Sequence, residues 1–578
     1  MRESNYKKLE LTWFNKDKAL IFDKKANDYT WVEPDDLRVA EPRLLIEKKV
    51  VGEPNSKWNA DTKKWEKATG KMKKEEQNLL IKGDNLLALK ALEQDYAGRI
   101  KLIYIDPPFN TGSRINADGE EVGYDDGYEH SIWLSMMKNR LEILKKLLKT
   151  DGTIFVHIDN GEIGHLKLLM DEVFGRINFV QLISVKKATT ADFKSINTCP
   201  TTVTEYVLMY SRNKKKFVNK PVYIEKSYSD DYGSFIPNID AEPEKWKIVS
   251  LDSHIYQLNG LKDWQEARER WGVYWKQIRT SIKADFALLH PHQVVSLNTL
   301  NKPSKAILEL LEKSKNERGR VFVLGRENGR PIYAYNGRKI VFFKDKLRLI
   351  DGELKPTELL TNFWDDISYL GIGPEGNVTF RNSKKPEALL HRIIEIGSEP
   401  GDFVLDSFAG SGTTGAVAHK MGRSWIMIEM ANHAETHCLT RLEFVVGGKD
   451  QDNYQYGGGF RYCVLGNSLF NKTEDGILEL NYDNGALIEA VCKIEGFRFI
   501  GKEYLEKTLL HGVIDSKRFC HITEDFVTQD LIEELTHEID DNESLVIYCM
   551  KRVSKLQLPP NIDVKKIPRD VVKRFNLA

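Results

Sequence analysis

Asp106-Pro107-Pro108-Phe109 puts an acid, a rigid dipeptide and an aromatic face into four consecutive residues. The short apolar run Ile100-Lys101-Leu102-Ile103-Tyr104-Ile105 precedes it and Asn110-Thr111-Gly112 follows, so a buried strand is expected to stop abruptly at Asp106. Open α/β sheets bind ligands at such carboxyl ends. The chemistry these groups suit is methylation of an exocyclic amine. That nitrogen is a poor nucleophile because its lone pair is delocalised into the ring, and a protein activates it by accepting hydrogen bonds from both N–H groups and aiming the lone pair. Asp106 can supply one acceptor. The Pro107 carbonyl can supply the other, because proline fixes φ and the residue before a proline stays extended. Phe109 offers a flat face to the base. In isolation, Asp-Pro-Pro also makes an ordinary turn, so the context has to decide.

A second block supplies that context. Glu399-Pro400-Gly401-Asp402 leads into the strand Phe403-Val404-Leu405-Asp406, then Ser407-Phe408-Ala409-Gly410-Ser411-Gly412-Thr413-Thr414-Gly415 and a helix expected from about Ala416. The strand Trp425-Ile426-Met427-Ile428 follows and ends at Glu429, which completes one βαβ unit. Glu429 falls 19 residues after Gly410, near the spacing of about 20 at which an acid reaches a ribose in nucleoside-binding sheets. A P-loop is disfavoured because no Gly-Lys-Ser/Thr follows, and the GxGxxG spacing of dinucleotide folds is missing.

Together these motifs resemble the amino-methylating DNA methyltransferases, whose catalytic motif is Asp/Asn/Ser-Pro-Pro-Tyr/Phe, with the Phe-x-Gly-x-Gly loop of S-adenosylmethionine enzymes. The stretch Tyr104 to Gly112, preceded by Gly83-Asp84-Asn85-Leu86-Leu87-Ala88-Leu89, is most similar to the modification (Mod) subunits of Type III restriction systems. Phe109 stands where tyrosine is commoner, which keeps the stacking face and loses a hydroxyl. Catalytic block, insert and cofactor block follow in the order of the β-type circular arrangement.

The resemblance implies a Rossmann-like doubly wound α/β sheet, circularly permuted, with an inserted target recognition domain and a C-terminal α+β domain. It implies S-adenosyl-L-methionine held by Asp406, Phe408, Ala409, Gly410, Ser411, Gly412 and Thr413, with Glu429 on the ribose and Asp84 nearby. Lys385, within Asn382-Ser383-Lys384-Lys385-Pro386-Glu387, is expected beside the cofactor's methionine end as a carboxylate partner. The ordinary alternatives are a helix N-cap for Asp84 and an exposed helix start for Lys385. Adenine N6 in double-stranded DNA is the implied substrate, with the base flipped out. Serine before Pro-Pro is commoner in cytosine-N4 enzymes, so Asp106 favours adenine. A catalytically silent recognition scaffold for a nuclease is the other alternative, and the intact Asp106 and Glu429 argue against it. The implied partners are a second copy of the chain and a separate ATP-dependent restriction (Res) subunit, since no Walker A motif occurs here.

The expected organisation is an arm over 1–75, a catalytic half over 76–215, a recognition domain over 216–355, a cofactor half over 356–450 and a tail over 451–578. Within the catalytic half the expected elements are a strand Leu79–Ile81, a helix through Leu92 and a helix Ser131–Lys149 ended by Asp151-Gly152. Strands Thr153–Ile158 and Glu205–Tyr210 follow. Tyr124 to Tyr128 with His130 reads as a mobile loop beside the site, and His157 and His165 read as structural.

Between Trp271 and Ile350 there are 16 Lys plus Arg against 6 Asp plus Glu, within a chain of 85 bases and 85 acids, and such asymmetry is the footprint of a nucleic-acid surface. Tyr274, Trp275, Lys276 and Arg279 interleave aromatics with bases, and a hairpin turning at Asn336-Gly337 carries Arg338 and Lys339; these are the candidate DNA contacts. The lysine-rich stretch Lys63 to Lys74 reads as a solvated face. His521 to Met550 carries 9 acids and no Lys or Arg, which suits a protein partner better than DNA.

The amino terminus has no apolar core and no run reaches 18 apolar residues, so neither membrane association nor export is expected and the chain reads as cytoplasmic. Six cysteines without a CxxC pair indicate neither a zinc site nor a disulfide framework, and no metal is expected.

Overall fold

The computed structural model describes all residues except 1–9, 24–27, 42, 111–112, 116–120, 127–128, 189–199, 328, 351, 381–383, 431, 450–456, 469, 473–477, 481–485, 502–506 and 568–578. The chain divides into two compact units, one of residues 1–220 with 362–578 and one of residues 221–361.

The first unit is organised by a ten-stranded sheet of β1 (Leu45–Gly52), β2 (Asn78–Lys82), β3 (Ile100–Ile105), β4 (Leu148–Ile158), β5 (Phe179–Lys186), β6 (Thr204–Ser211), β7 (Phe363–Trp364), β8 (Phe403–Asp406), β9 (Ser424–Glu429) and β10 (Gly459–Leu465). Their order is β7-β5-β6-β4-β3-β8-β9-β2-β10-β1. The six from β4 to β10 in that order run parallel, and β6 and β1 pair antiparallel to their neighbours. The parallel strands are apolar because both faces are covered. On one face, Ile103 and Ile105 of β3 join a core with Leu86, Leu89 and Leu92 of helix α1 (Asn85–Tyr96) and Trp133, Met137 and Leu141 of α2 (His130–Leu147). On the other, Leu102 points at Gly397, the last residue of α3 (Glu387–Gly397), where a Cβ would come within 2.4 Å of the Leu102 Cδ1. That alternation is the period-two pleat of a strand.

Several boundaries differ from expectation. α2 stops at Leu147, and Asp151-Gly152 lies inside β4, where the register with β3 shifts between Leu148 and Thr153. The chain enters the sheet at Leu148, opposite Ile100, and bulges through the turn-forming pair instead of ending a helix there. Helix α4 (Thr413–Lys420) starts three residues before Ala416, with Gly412 as a left-handed cap at φ 76°. The expected arm is only partly an arm. Leu45–Gly52 is the edge strand of the main sheet, and β10 from the expected tail lies between it and β2. Before it, a hairpin of Ala19–Asp23 and Asp28–Val32 is tied to α2 through Trp13 Nε1 donating to Ser135 Oγ (2.7 Å) and Leu20 N donating to Asn139 Oδ1 (3.1 Å).

The rest of the tail includes a five-stranded sheet running from Arg498–Phe499 through Gly512–Ile514, Arg518–Val527 and Ser544–Arg552 to Ile562–Lys566. Within the second unit, a six-stranded antiparallel sheet includes the hairpin Ile332–Tyr335 and Arg338–Phe342, which turns at Asn336 (φ 48°) and Gly337 (φ 80°). Two consecutive positive φ values are what a two-residue hairpin turn requires. Among the described residues no helix is long and apolar enough to cross a membrane.

Candidate active site

Residues from the two motif blocks meet because β8 and β9 insert between β2 and β3. Leu405 pairs with Ile103, Asp406 with Met427 and Glu429 with Lys82, so Asp106, Asp406, Glu429 and Gly83 sit at the carboxyl ends of four adjacent parallel strands. The glycine loop is held from below. Ala409 N donates to Ile428 O (3.1 Å), Gly410 N to Glu429 Oε2 (2.7 Å) and Phe408 N to Asp406 Oδ1 (2.9 Å). Thr414 Oγ1 donates to Asp406 Oδ2 at 2.6 Å. Burial pushes the Asp406 carboxyl up to about 7 despite the opposing bonds from Thr414 and Phe408.

The expected cofactor residues divide into two groups. Gly410 has φ 53°, and the nearest atom to a Cβ built there is 3.9 Å away on Phe380, so backbone faces open space. Ser407 Oγ is buried with no hydrogen-bond partner, and the Phe380 ring lies 5.1 Å from both His433 and His437. An open glycine backbone, an unmade hydroxyl bond and an aromatic wall fit a nucleoside. Ser411 and Thr413 are instead bound inward, 3.0 Å from each other, with Thr413 accepting from Arg441 Nη1 (2.8 Å) and Arg441 paired to Glu387 (2.6 Å). Asp84 caps α1, accepting from Leu87 N at 3.0 Å, and faces Arg140 at 3.5 Å. Asn382 and Ser383 lie outside the described residues.

Around Asp106–Phe109 the structure pairs Lys385, expected beside the cofactor's methionine end, with two carboxylates of the protein itself. The Lys385 Nζ lies 3.0 Å from Asp106 Oδ2, 3.6 Å from Glu205 Oε2 and 4.9 Å from the centre of the Phe109 ring. Burial would lower the Lys385 ammonium, but Asp106 and Glu205 outweigh it and hold the group above its ordinary value. Glu205 also receives His157 Nε2 (2.8 Å) and Lys187 Nζ (2.5 Å). Burial would push Glu205 up, yet Lys385, His157 and Lys187 hold it well below the usual carboxylate range. His157 Nδ1 is 3.1 Å from the Tyr104 hydroxyl, and its ring stacks on Phe109 with centres 6.0 Å apart. His157 therefore backs the Phe109 ring. The Pro108 carbonyl accepts from Trp133 Nε1 at 2.8 Å, which fixes the turn. Asp106 Oδ1 is buried and has no hydrogen-bond partner.

Glu205, Lys187 and Trp133 were not singled out in the sequence. An acid opening an otherwise apolar strand was the available signal for Glu205.

Beside the tetrapeptide, Glu162 receives His130 Nδ1 (2.6 Å), His165 Nδ1 (2.9 Å) and Asn110 Nδ2 (2.7 Å). One buried carboxylate and two imidazoles, with ligand atoms within 4.8 Å of one another, form a set able to hold a metal ion that the sequence reading had not anticipated. In the expected mobile loop, Glu121–Asp126 is a strand paired with Ser113–Ile115, while Gly127 and Tyr128 lie outside the described residues.

In the second unit, Tyr274 and Lys276 are exposed at the start of the helix Trp275–Leu289, with Lys276 Nζ 5.8 Å from the Trp275 ring. Arg279 differs from expectation. It donates to Asp230 (3.0 Å), lies 3.5 Å from Asp252 and is only 20% exposed, which ties it to acids of its own unit. Arg338 is exposed, and Lys339 lines a cavity of about 740 Å³ with Arg326, Arg330, Trp246, Tyr333 and Phe342.

The profile of the N6_N4_Mtase family, described as DNA methylase, matches residues 100–438 and takes in both motif blocks. The chain belongs to this DNA methylase family. It is 33% identical over 83% of its length to the "Probable type III restriction-modification enzyme HindVI Mod subunit" of Haemophilus influenzae, covering 66% of that protein. It is 30% identical over 59% of its length to the type III restriction-modification enzyme StyLTI Mod subunit of Salmonella typhimurium, covering 49% of it. With the type II methyltransferase M.EcaI of Enterobacter cloacae it shares 28% identity over 65% of its length and 71% of the relative's. The chain thus spans about half to two thirds of the Mod subunits it matches.

Proposed function

We propose that the chain transfers a methyl group from S-adenosyl-L-methionine to N6 of adenine in double-stranded DNA, as the modification subunit of a Type III restriction-modification system. The observation that carries this reading is the unpaired, buried Asp106 Oδ1 at the end of β3, one strand away from the open glycine loop at the end of β8. Membership of the DNA methylase family and similarity to proteins named Mod subunits support it.

When bound, the cofactor supplies a methyl carried on a sulfonium. Phe408, Ala409, Gly410 and Glu429 would hold its nucleoside part. The flipped adenine stacks on Phe109, Asp106 Oδ1 accepts one N6 hydrogen and the Pro107 carbonyl accepts the other, which aims the lone pair. Lys385 fixes the far oxygen of Asp106 so that the near one presents a single geometry. Positioning in a dry site does the work, and no base stronger than a carboxylate is needed.

DNA binding is assigned to residues 221–361, whose exposed Tyr274, Lys276 and Arg338 and basic cavity suit phosphate and base contacts. A second copy of the chain and a separate ATP-dependent restriction subunit are the partners this reading implies. The test is incubation of the pure chain with labelled S-adenosyl-L-methionine and unmethylated duplex DNA, followed by nucleoside analysis. Label in N6-methyladenine is expected. Label in N4-methylcytosine would overturn the choice of base, and DNA binding without any label would favour a recognition scaffold.

A further inference from the structure

We propose that Tyr369 contacts the target base directly, donating its hydroxyl to adenine N1 while Asp106 accepts from the neighbouring N6 amine. The inference rests on the methyltransferase reading above and adds a residue to its site. Tyr369 lies in the first unit between β7 and α3, in a stretch with no motif in the sequence. Its ring is half-buried, yet its hydroxyl oxygen is fully buried and has no hydrogen-bond partner. Buried polar groups are nearly always paired, so an unpaired one needs an explanation. Asp106 Oδ1 is another such atom among the described residues, and its carboxylate is close enough to act electrostatically on the Tyr369 hydroxyl. The Glu205 carboxylate acts on that hydroxyl as well. The same neighbourhood includes Tyr104, whose hydroxyl also feels Asp106, Glu205 and Tyr369.

The chemistry of the two unmade bonds is complementary to one edge of one ligand. An ionised carboxylate oxygen only accepts. Burial, and then the negative charge of Glu205 and Asp106, push the Tyr369 phenol well above its ordinary value, which keeps its proton on and makes it a donor. The pairing edge of adenine presents an N–H donor at N6 beside a ring acceptor at N1, the reverse of what the protein offers. Tyr104 cannot take this role, because its hydroxyl is engaged with His157 Nδ1 at 3.1 Å. Phe109 has no hydroxyl to offer, and Tyr369 supplies one from a different part of the chain.

The test compares wild type and Tyr369→Phe on duplexes carrying adenine, 1-deazaadenine or 7-deazaadenine at the target position, with cofactor binding and DNA binding measured alongside. Tyr369→Phe should bind cofactor and duplex as wild type does and lose about tenfold in kcat/KM on adenine, the effect of one hydrogen bond left unmade. 1-Deazaadenine should cost wild type a similar factor and cost the variant almost nothing, because the atom and the hydroxyl report one interaction. 7-Deazaadenine should cost both proteins equally. The proposal is overturned by a variant that keeps the wild-type rate on adenine, by a 1-deaza penalty equal in both proteins, or by coupling to position 7 instead of position 1. A wild-type chain that never methylates adenine would sink the adenine-N6 reading on which this proposal rests, and that failure is visible before the variant is made.

Discussion

Lys385 sits between two carboxylates in a buried place, and removing it should expose how much of the site it holds. Lys385→Met leaves Asp106 and Glu205 without their shared counter-charge, and breaking a buried pair in this way costs about 3–5 kcal/mol. A loss of that size in chemical denaturation is expected, partly restored in Lys385→Met combined with Glu205→Gln. A double variant no more stable than the single would mean the two charges are not coupled. Asp106→Ala should abolish methyl transfer while cofactor and DNA binding persist, since Asp106 supplies an acceptor and no strand contact; turnover near wild type would remove it from the mechanism. Phe109→Tyr should be nearly neutral, whereas Phe109→Ala should weaken turnover by roughly 1–3 kcal/mol of lost stacking. At this scale the sequence was legible where chemistry is local. Asp106 to Phe109 declare themselves by adjacency and by the strand that ends there. Lys385 could be picked out as a cation near the site, but its partner could not, because the pairing crosses from the segment before α3 to the residue after β3 and depends on the sheet order.

Among the elements, α4 carries a histidine that makes the first unit acid-sensitive. His419 is fully buried, donates from Nε2 to Gly457 O (2.9 Å), stacks on Trp65 at 4.8 Å and receives Trp425 Nε1 on Nδ1 at 3.2 Å. Burial lowers it to about 4, and in the tail burial together with His521 lowers His511 to about 4. Both must be neutral in the folded chain. Their contribution to stability is full above the unfolded value of about 6.5 and is lost as the pH falls from there toward 4. The melting temperature should therefore drop between pH 7 and pH 5, and His419→Gln should flatten that slope; an unchanged slope would show that His419 does not carry it. The strands and helices of both blocks were legible from short apolar runs and helical spacing. Two errors have one cause. Asp151-Gly152 and Leu45–Gly52 were judged by local propensity, while pairing with β3 and β10 decides their conformation.

For the whole molecule, the assignment of DNA binding to residues 221–361 proposed above gives a salt experiment. Replacing Lys276, Arg338 and Lys339 by neutral residues should weaken DNA binding and reduce the slope of log affinity against log salt by about 0.9 for each phosphate no longer neutralised. Arg279→Gln should act differently, destabilising residues 221–361 through its bonds to Asp230 and Asp252. A slope that is the same in all variants would place the DNA surface elsewhere. The order of the blocks was readable from the sequence because each motif is compact, but the position of β10 was not, since nothing local announces which strand a segment will join. The sheet order has a further consequence during synthesis. The ribosome delivers β2 and β3 roughly 300 residues before β8 and β9, yet in the finished sheet those later strands separate the earlier two. At translation speeds of about 5–20 residues per second, a slot two strands wide stays open for roughly 15–60 s, with backbone edges exposed on both sides. A polypeptide released before Phe403 would carry residues 221–361 but neither slot-filling strand, so on the function proposed above it would bind DNA and never mark it.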